Sequence, residues 1–301
     1  MRIKDFLNFI RWKNLLMLIL VQILIKYVLF PKFYDISALN NFYFSFLVLS
    51  TVFIAAAGYI INDIYDLKTD MVNKPNLVFI ENKISKSSAV KLYLTTSFIG
   101  ILLGIILSIH IEKPYYSLIF ILISILLFTY STTLKSKLLL GNLLVSLLIF
   151  SSILIVPVFD LFPISDITEQ DNFSTVFLLV KHIAVFAFML TMLREIVKDI
   201  EDIKGDYKIN AETLPIVLGI ERTKNILAFS SLIPLLSILY FGFSYYTENK
   251  FVLYYLVIFV VTPLLYFVKK ILSAKSKSDF HKLSNLLKYI MLFGILTIFL
   301  L

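Results

Sequence analysis

Cysteine is absent from this chain. Its absence excludes disulfides, thiolate nucleophiles and Cys-based metal sites together. Histidine is scarce, and His110, His182 and His281 stand far apart in sequence, which fits interfacial or loop side chains better than a zinc site. Eight glycines leave little material for phosphate-cradling turns. Neither a Gly-x-x-x-x-Gly-Lys loop nor a Gly-x-Gly-x-x-Gly turn occurs, so a P-loop or Rossmann nucleotide site is unsupported. Charge is thin as well: Asp, Glu, Lys and Arg make up only 16% of the residues.

What fills the chain is apolar. Hydrophobic residues reach 59% of 301, and mean hydropathy is +0.89. Such a composition overrides the usual expectation of one or two soluble domains and describes a polytopic, all-α integral membrane protein. The net charge of +8 is spread over several loops and forms no stripe, so no nucleic-acid partner is expected.

Nine apolar runs are long enough to cross a bilayer, at 15–30, 42–61, 89–110, 115–133, 141–159, 174–193, 225–245, 251–267 and 286–301. No small-residue cleavage site follows the first, which reads as a span rather than a signal peptide, with Lys26 near its far end placed to snorkel. Trp12 is placed to anchor the first span at the interface. Only Lys26, Lys32, Lys113, Lys181 and Lys250 lie outside the alternate segments that begin with the N-terminus, leaving 23 of the 28 Lys and Arg on one side. The positive-inside rule then puts the N-terminus in the cytoplasm and the C-terminus outside the cell (inner) membrane. The expected fold is a bundle of about nine transmembrane helices, two four-helix units plus one, forming a single membrane domain over 1–301.

Two acidic clusters interrupt the apolar pattern. Residues 62–75 follow the second span, with Asn62, Asp66 and Asp70 at i, i+4 and i+8 and Asp63 beside them. If the helix continues out of the membrane, those three share one face, roughly 6 Å apart along the axis. Carboxylates packed so tightly repel one another unless something positive sits among them. The spacing suits hard cations bridged by a diphosphate, and Mg²⁺ is the natural candidate because it prefers a few carboxylates plus substrate phosphate oxygens. Residues 194–215 follow the sixth span, where Asp202 and Asp206 repeat the i, i+4 spacing and Asp199 lies one turn earlier. Both spans run outside to inside, so both clusters are expected on the cytoplasmic face, presenting carboxylates toward one cavity mouth.

At these clusters the chain resembles the UbiA superfamily of intramembrane prenyltransferases. That family's first motif, Asn-Asp-x-x-Asp-x-x-x-Asp, is matched by Asn62, Asp63, Asp66 and Asp70 without a gap. Its second, Asp-x-x-x-Asp followed by Gly and then Thr-Leu-Pro, is matched by Asp202, Asp206 and Thr213-Leu214-Pro215, with Asn210 at the Gly position. Tyr130 and Lys135 correspond to a Tyr and Lys at the end of the family's fourth helix. Within the superfamily, residues 194–206 look most like digeranylgeranylglyceryl phosphate synthases. The common Asn-x-Pro-x-Arg-Pro continuation of the first motif is missing, since Asn73-Lys74-Pro75-Asn76 runs into Leu77.

The resemblance implies nine helices and Mg²⁺-dependent transfer of a prenyl group from a prenyl diphosphate to a lipophilic acceptor. It implies metal ligation by Asp63, Asp66, Asp70, Asp199, Asp202 and Asp206. Asp66, Asp70, Asp202, Asp206 and Lys135 then form the catalytic set. Asn14, Asn62, Tyr130, Arg194 and Lys198 are candidate substrate contacts, Tyr130 through its ring face toward a carbocation. The acceptor is a glycerol-phosphate lipid, geranylgeranylglyceryl phosphate, with an aromatic acid of quinone synthesis as the alternative. A cation transporter or channel is the rival outside the enzymes, since intramembrane acids often mark ion pathways. The acids here cluster at one face, however, and the span midplanes are nearly free of charge.

Overall fold

The computed structural model describes residues 2–33, 37–75, 78–164, 170–245 and 250–301. Asn76 and Leu77, just after the first motif, and Asp166 and Glu169, between the fifth and sixth apolar runs, lie outside the described residues. Among the described residues the regular structure is helical, and nine helices are long and apolar enough to cross a membrane. They are α1 (Trp12–Lys32), α2 (Asn41–Tyr65), α3 (Lys86–His110), α4 (Pro114–Thr132), α5 (Leu140–Ile164), α6 (Phe173–Lys208), α7 (Ile220–Gly242), α8 (Lys250–Ser273) and α9 (Lys277–Phe299).

Local chemistry sets several of the ends. The Asn40 side chain accepts the Tyr43 amide at the start of α2, and Ser85 accepts that of Ser88 at the start of α3. The last helix begins about nine residues before the apolar run at 286 suggests, because Ser276 and Asp279 form a capping box there. Lys277 and Lys282, which precede that apolar run, are therefore helical.

The chain divides into two compact units, residues 1–135 with 152–178, and residues 136–151 with 179–301. The division runs through α5 and α6, and α9 belongs to the second unit instead of standing apart.

In the first unit α2 packs most extensively on α3 and also on α4. Gly100 makes the approach possible: a Cβ there would stand 2.7 Å from Ile54 Cγ1 and 3.1 Å from the Ser50 carbonyl. The Ser50 hydroxyl donates to the Gly100 carbonyl at 2.7 Å, a small-residue contact of the kind that joins membrane helices. Gln22, fully buried on α1, donates to the Ser152 carbonyl at 3.0 Å and accepts from Thr51 at 3.1 Å. The outward side chains Phe98, Leu102, Ile109, Leu118, Leu122 and Ile125 on α3 and α4 are large, apolar and exposed, as a lipid-facing surface requires.

Lys26 does not snorkel. It is 7% exposed and donates to Asp160 Oδ2 at 2.6 Å, to Ser37 Oγ at 2.7 Å and to the Leu39 carbonyl at 2.7 Å, while the Leu39 amide donates to Asp160 Oδ1 at 2.8 Å. Every donor of the ammonium finds an acceptor, the condition under which a buried pair is tolerated.

In the second unit α9 packs along α8, and Gly294 of α9 lies against the Phe186 ring of α6. The Leu214–Leu218 turn, opened by Pro215, leads into α7 through Gly219 at φ +84°, a left-handed conformation that suits glycine.

Candidate active site

The first motif closes α2. The helix ends at Tyr65, Asp66 forms the boundary, and a short helix, Leu67–Asn73, follows. The expected uninterrupted helix is thus bent at Asp66, yet its ladder survives. The Asp66 amide donates to Asn62, Asp70 to Asp66 and Lys74 to Asp70, each at 2.8 Å. Asn62, Asp66 and Asp70 therefore remain stacked turn upon turn. Beneath them Phe9, Ile60, Ile61, Ile64, Ile80 and Ala89 form an apolar cluster that fixes the end of α2 against the N-terminal helix Ile3–Phe9.

Positive charge sits among the carboxylates, as their repulsion demands. Arg11 Nη2 donates to Asp63 Oδ1 at 2.8 Å, and its guanidinium stacks over the Tyr59 ring at 4.8 Å. Lys135, in the turn after α4, pairs with Asp66 Oδ1. Asn62 Nδ2 donates to Asp66 Oδ2 at 2.7 Å, leaving Asn62 Oδ1 buried without a hydrogen-bond partner. Burial works against the Arg11 charge, but Asp63, Tyr59 and Asp70 outweigh it and hold the guanidinium above its usual pKa. Arg11 also adopts φ +54°, ψ +49° between the N-terminal helix and α1. A left-handed arginine costs on the order of 1–3 kcal/mol and persists where its surroundings fix it, here through Asp63 and Tyr59. Asn14 and Tyr130, both half-buried, belong to the same unit, and Tyr130 is near enough to act electrostatically on Arg11.

The second motif closes α6. Asp199 accepts from Asn142 Nδ2 at 2.8 Å. Asp202 Oδ1 is faced by Lys277 Nζ at 3.8 Å, and Glu201 beside it contacts His281 Nδ1 at 3.1 Å. Arg194 and Lys198 meet on one carboxylate, Glu195, at 2.8 Å and 3.0 Å. The Asp206 carbonyl receives the Ala211 amide at 3.0 Å, closing a turn in which Asn210 holds φ +52°. A left-handed position explains how asparagine can stand at the family's glycine position. The Glu212 amide donates to the Ser136 carbonyl at 2.8 Å and its side chain faces Lys137 at 3.4 Å, fixing the motif's loop.

Sequence reasoning did not single out Arg11, Asn142, Glu195 or Lys277. Arg11 and Lys277 are visible in the sequence only as basic loop charges, and the left-handed turn that aims Arg11 at Asp63 carries no composition signal. Among the described residues no three His, Asp or Glu side chains stand close enough to form a ready metal cage. The donors of both motifs are hard oxygens, with the Asn62 Oδ1 lacking any partner, and this suits a cation that takes few protein ligands and completes its shell from substrate phosphate.

The nine helices, with an acidic motif closing α2 and another closing α6, define an intramembrane prenyltransferase fold: the sequence model of the UbiA prenyltransferase family matches residues 33–293, and the chain belongs to that family. Among its relatives is the digeranylgeranylglyceryl phosphate synthase of Methanosphaera stadtmanae, 32% identical over 249 residues, covering 80% of this chain and 81% of the relative. A solved structure described as giving insights into digeranylgeranylglyceryl phosphate synthase in membranes aligns with TM-score 0.66 at 22% identity, covering 99% of each chain. A UbiA homolog from Archaeoglobus fulgidus bound to GPP and Mg²⁺ aligns with TM-score 0.59 at 15% identity, covering 99% of this chain and all of the other.

Proposed function

We propose that the chain transfers a geranylgeranyl group from its diphosphate to geranylgeranylglyceryl phosphate, forming an ether lipid with the help of Mg²⁺. The observation that carries this reading is the basic side chain on each of two first-motif carboxylates, Arg11 on Asp63 and Lys135 on Asp66. Such alternation of anions and cations is what a metal-bridged diphosphate needs at its two kinds of contact. The similarity to the M. stadtmanae synthase over four-fifths of both chains supports the choice of acceptor.

Asn62, Asp63, Asp66 and Asp70 of the first motif, with Asp199, Asp202 and Asp206 of the second, are the residues that would hold Mg²⁺. Bound there, Mg²⁺ supplies Lewis-acid stabilisation of the charge developing on the leaving diphosphate. Arg11 and Lys135 would donate charge-assisted hydrogen bonds to the oxygens of the same diphosphate. Asn14, Arg194 and Lys198 contact substrate, and the Tyr130 ring faces the allylic carbocation left when the C–O bond ionises. Apolar helices exclude the water that would quench that cation. Residues 1–301 act as a single domain, with the N-terminus and both motif loops in the cytoplasm.

The test offers purified protein in detergent geranylgeranyl diphosphate and Mg²⁺, with geranylgeranylglyceryl phosphate and an aromatic acid in parallel, and identifies products by mass. An ether-lipid product that disappears with EDTA is expected. A prenylated aromatic acid would move the chain to quinone synthesis, and no EDTA-sensitive diphosphate release with any donor length would overturn the enzyme reading.

A further inference from the structure

We infer that Thr191, Arg194 and Lys198 of α6 form a binding site for a phosphate oxyanion, with Glu195 as its positioning residue. The inference rests on the prenyl-transfer reading and deepens it, since the acceptor assigned there carries a phosphate of its own.

Thr191, Arg194, Glu195 and Lys198 follow i, i+3, i+4 and i+7, within an arc of about 100° on one helix face. Two donors on that face are buried without a hydrogen-bond partner, Thr191 Oγ1 and Arg194 Nε. The threonine is the more telling. Several buried helical hydroxyls elsewhere in the chain bond back to the carbonyl four residues earlier, Ser108 to Gly104, Ser131 to Leu127, Ser146 to Asn142 and Thr223 to Gly219, and others reach a neighbouring acceptor, as Ser50 does at Gly100. Thr191, only 3% exposed, makes no such bond. A buried hydroxyl left unsatisfied costs about 1–3 kcal/mol, which a ligand acceptor would recover.

The charges point the same way. Arg194 and Lys198, one turn apart, would repel on a bare helix. Glu195, 8% exposed, accepts from Arg194 Nη1 at 2.8 Å and from Lys198 Nζ at 3.0 Å and 3.3 Å, and so holds the two cations side by side. Its grip on Nη1 leaves Nε as a buried donor without a partner. A guanidinium has donors and no acceptor, so it serves an oxyanion rather than a metal. Thr191 and Arg194 lie eleven and eight residues before Asp202, roughly 16 Å and 12 Å along α6, while Lys198 lies one turn, about 6 Å, from it. The distance of the two unpartnered donors from Asp202 favours a second phosphate, the acceptor's, over the diphosphate engaged at Asp202.

The test is calorimetric binding of geranylgeranylglyceryl phosphate and, separately, of inorganic diphosphate with Mg²⁺, to wild type, Thr191→Val, Thr191→Ser and Glu195→Gln in detergent. Thr191→Val preserves shape, so it carries the test even if Glu195→Gln does not fold. Expected is about tenfold weaker binding of the phosphate lipid by Thr191→Val and Glu195→Gln, near wild-type binding by Thr191→Ser, and unchanged diphosphate affinity. If diphosphate binding weakens tenfold instead, the oxyanion site stands and belongs to the donor. Wild-type affinity of both variants for both probes would overturn the site. A wild type that binds the lipid tightly but turns over no donor would defeat the prenyl-transfer reading alone.

Discussion

Lys135, in the turn after α4, pairs with Asp66 at the end of α2, and both side chains are less than one-fifth exposed. The lysine occupies the carboxylate as a cation would, so structural and chemical roles are superposed on one contact. Removing one partner of a buried pair typically destabilises by about 3–5 kcal/mol, whereas removing both is close to neutral. Asp66→Asn and Lys135→Met are each expected to lower the melting temperature in detergent, and the double variant to recover most of it. Mg²⁺-dependent diphosphate release should fall about 10²–10³-fold in Asp66→Asn and stay low in the double variant. Activity that recovered along with stability would show that the pair only holds α2 to α4.

Arg11 offers a sharper contrast between charge and shape. Its guanidinium both donates to Asp63 and stacks on Tyr59, and a lysine reproduces neither the planar fork nor the stacking. Arg11→Lys and Arg11→Met are both expected to raise KM for the prenyl diphosphate roughly tenfold or more, the scale of a charge-assisted hydrogen bond. Steady-state kinetics at saturating acceptor would check it, and a wild-type KM in Arg11→Lys would reduce the arginine to a simple counter-charge.

Arg11 also marks where sequence reading stopped. The helix count, the two acidic motifs and the alternation of basic segments are properties of local composition, and they were legible because a bilayer demands about 20 apolar residues per span. Pairings that depend on a backbone turn or a distant partner were not. Lys26 reads as a snorkelling residue until Asp160, 134 positions away, is brought to it. The start of α9 was hidden because Ser276 and Asp279 begin a polar helical turn ahead of the apolar run. Asn142 and Glu195 carry no motif; their roles come from the side chains folding sets beside them, Asp199 for one and Arg194 with Lys198 for the other.

Helix contact in the first unit makes a stability prediction independent of chemistry. A Cβ at Gly100 would meet Ile54 Cγ1 at 2.7 Å and the Ile54 amide nitrogen at 3.1 Å, so α3 must retreat from α2 and strain the Ser50–Gly100 hydrogen bond. Gly100→Ala should destabilise by about 1–3 kcal/mol, as overpacking does. Thermal unfolding in detergent reads this directly; an unchanged midpoint would mean that the α2–α3 contact is looser than the structure has it.

The absence of cysteine makes the membrane orientation testable without background. Of the 28 Lys and Arg, 23 lie on the segments that alternate from the N-terminus, and cytoplasmic retention of such segments is the physical origin of the positive-inside rule. Single cysteines at exposed Lys4 and at exposed Lys250 sample opposite sides of that alternation. In intact cells a membrane-impermeant maleimide should label Lys250→Cys and spare Lys4→Cys, and in inverted vesicles the pattern should reverse. Labelling of Lys4→Cys from outside intact cells would turn the protein over and put both acidic motifs on the wrong face for a cytoplasmic diphosphate.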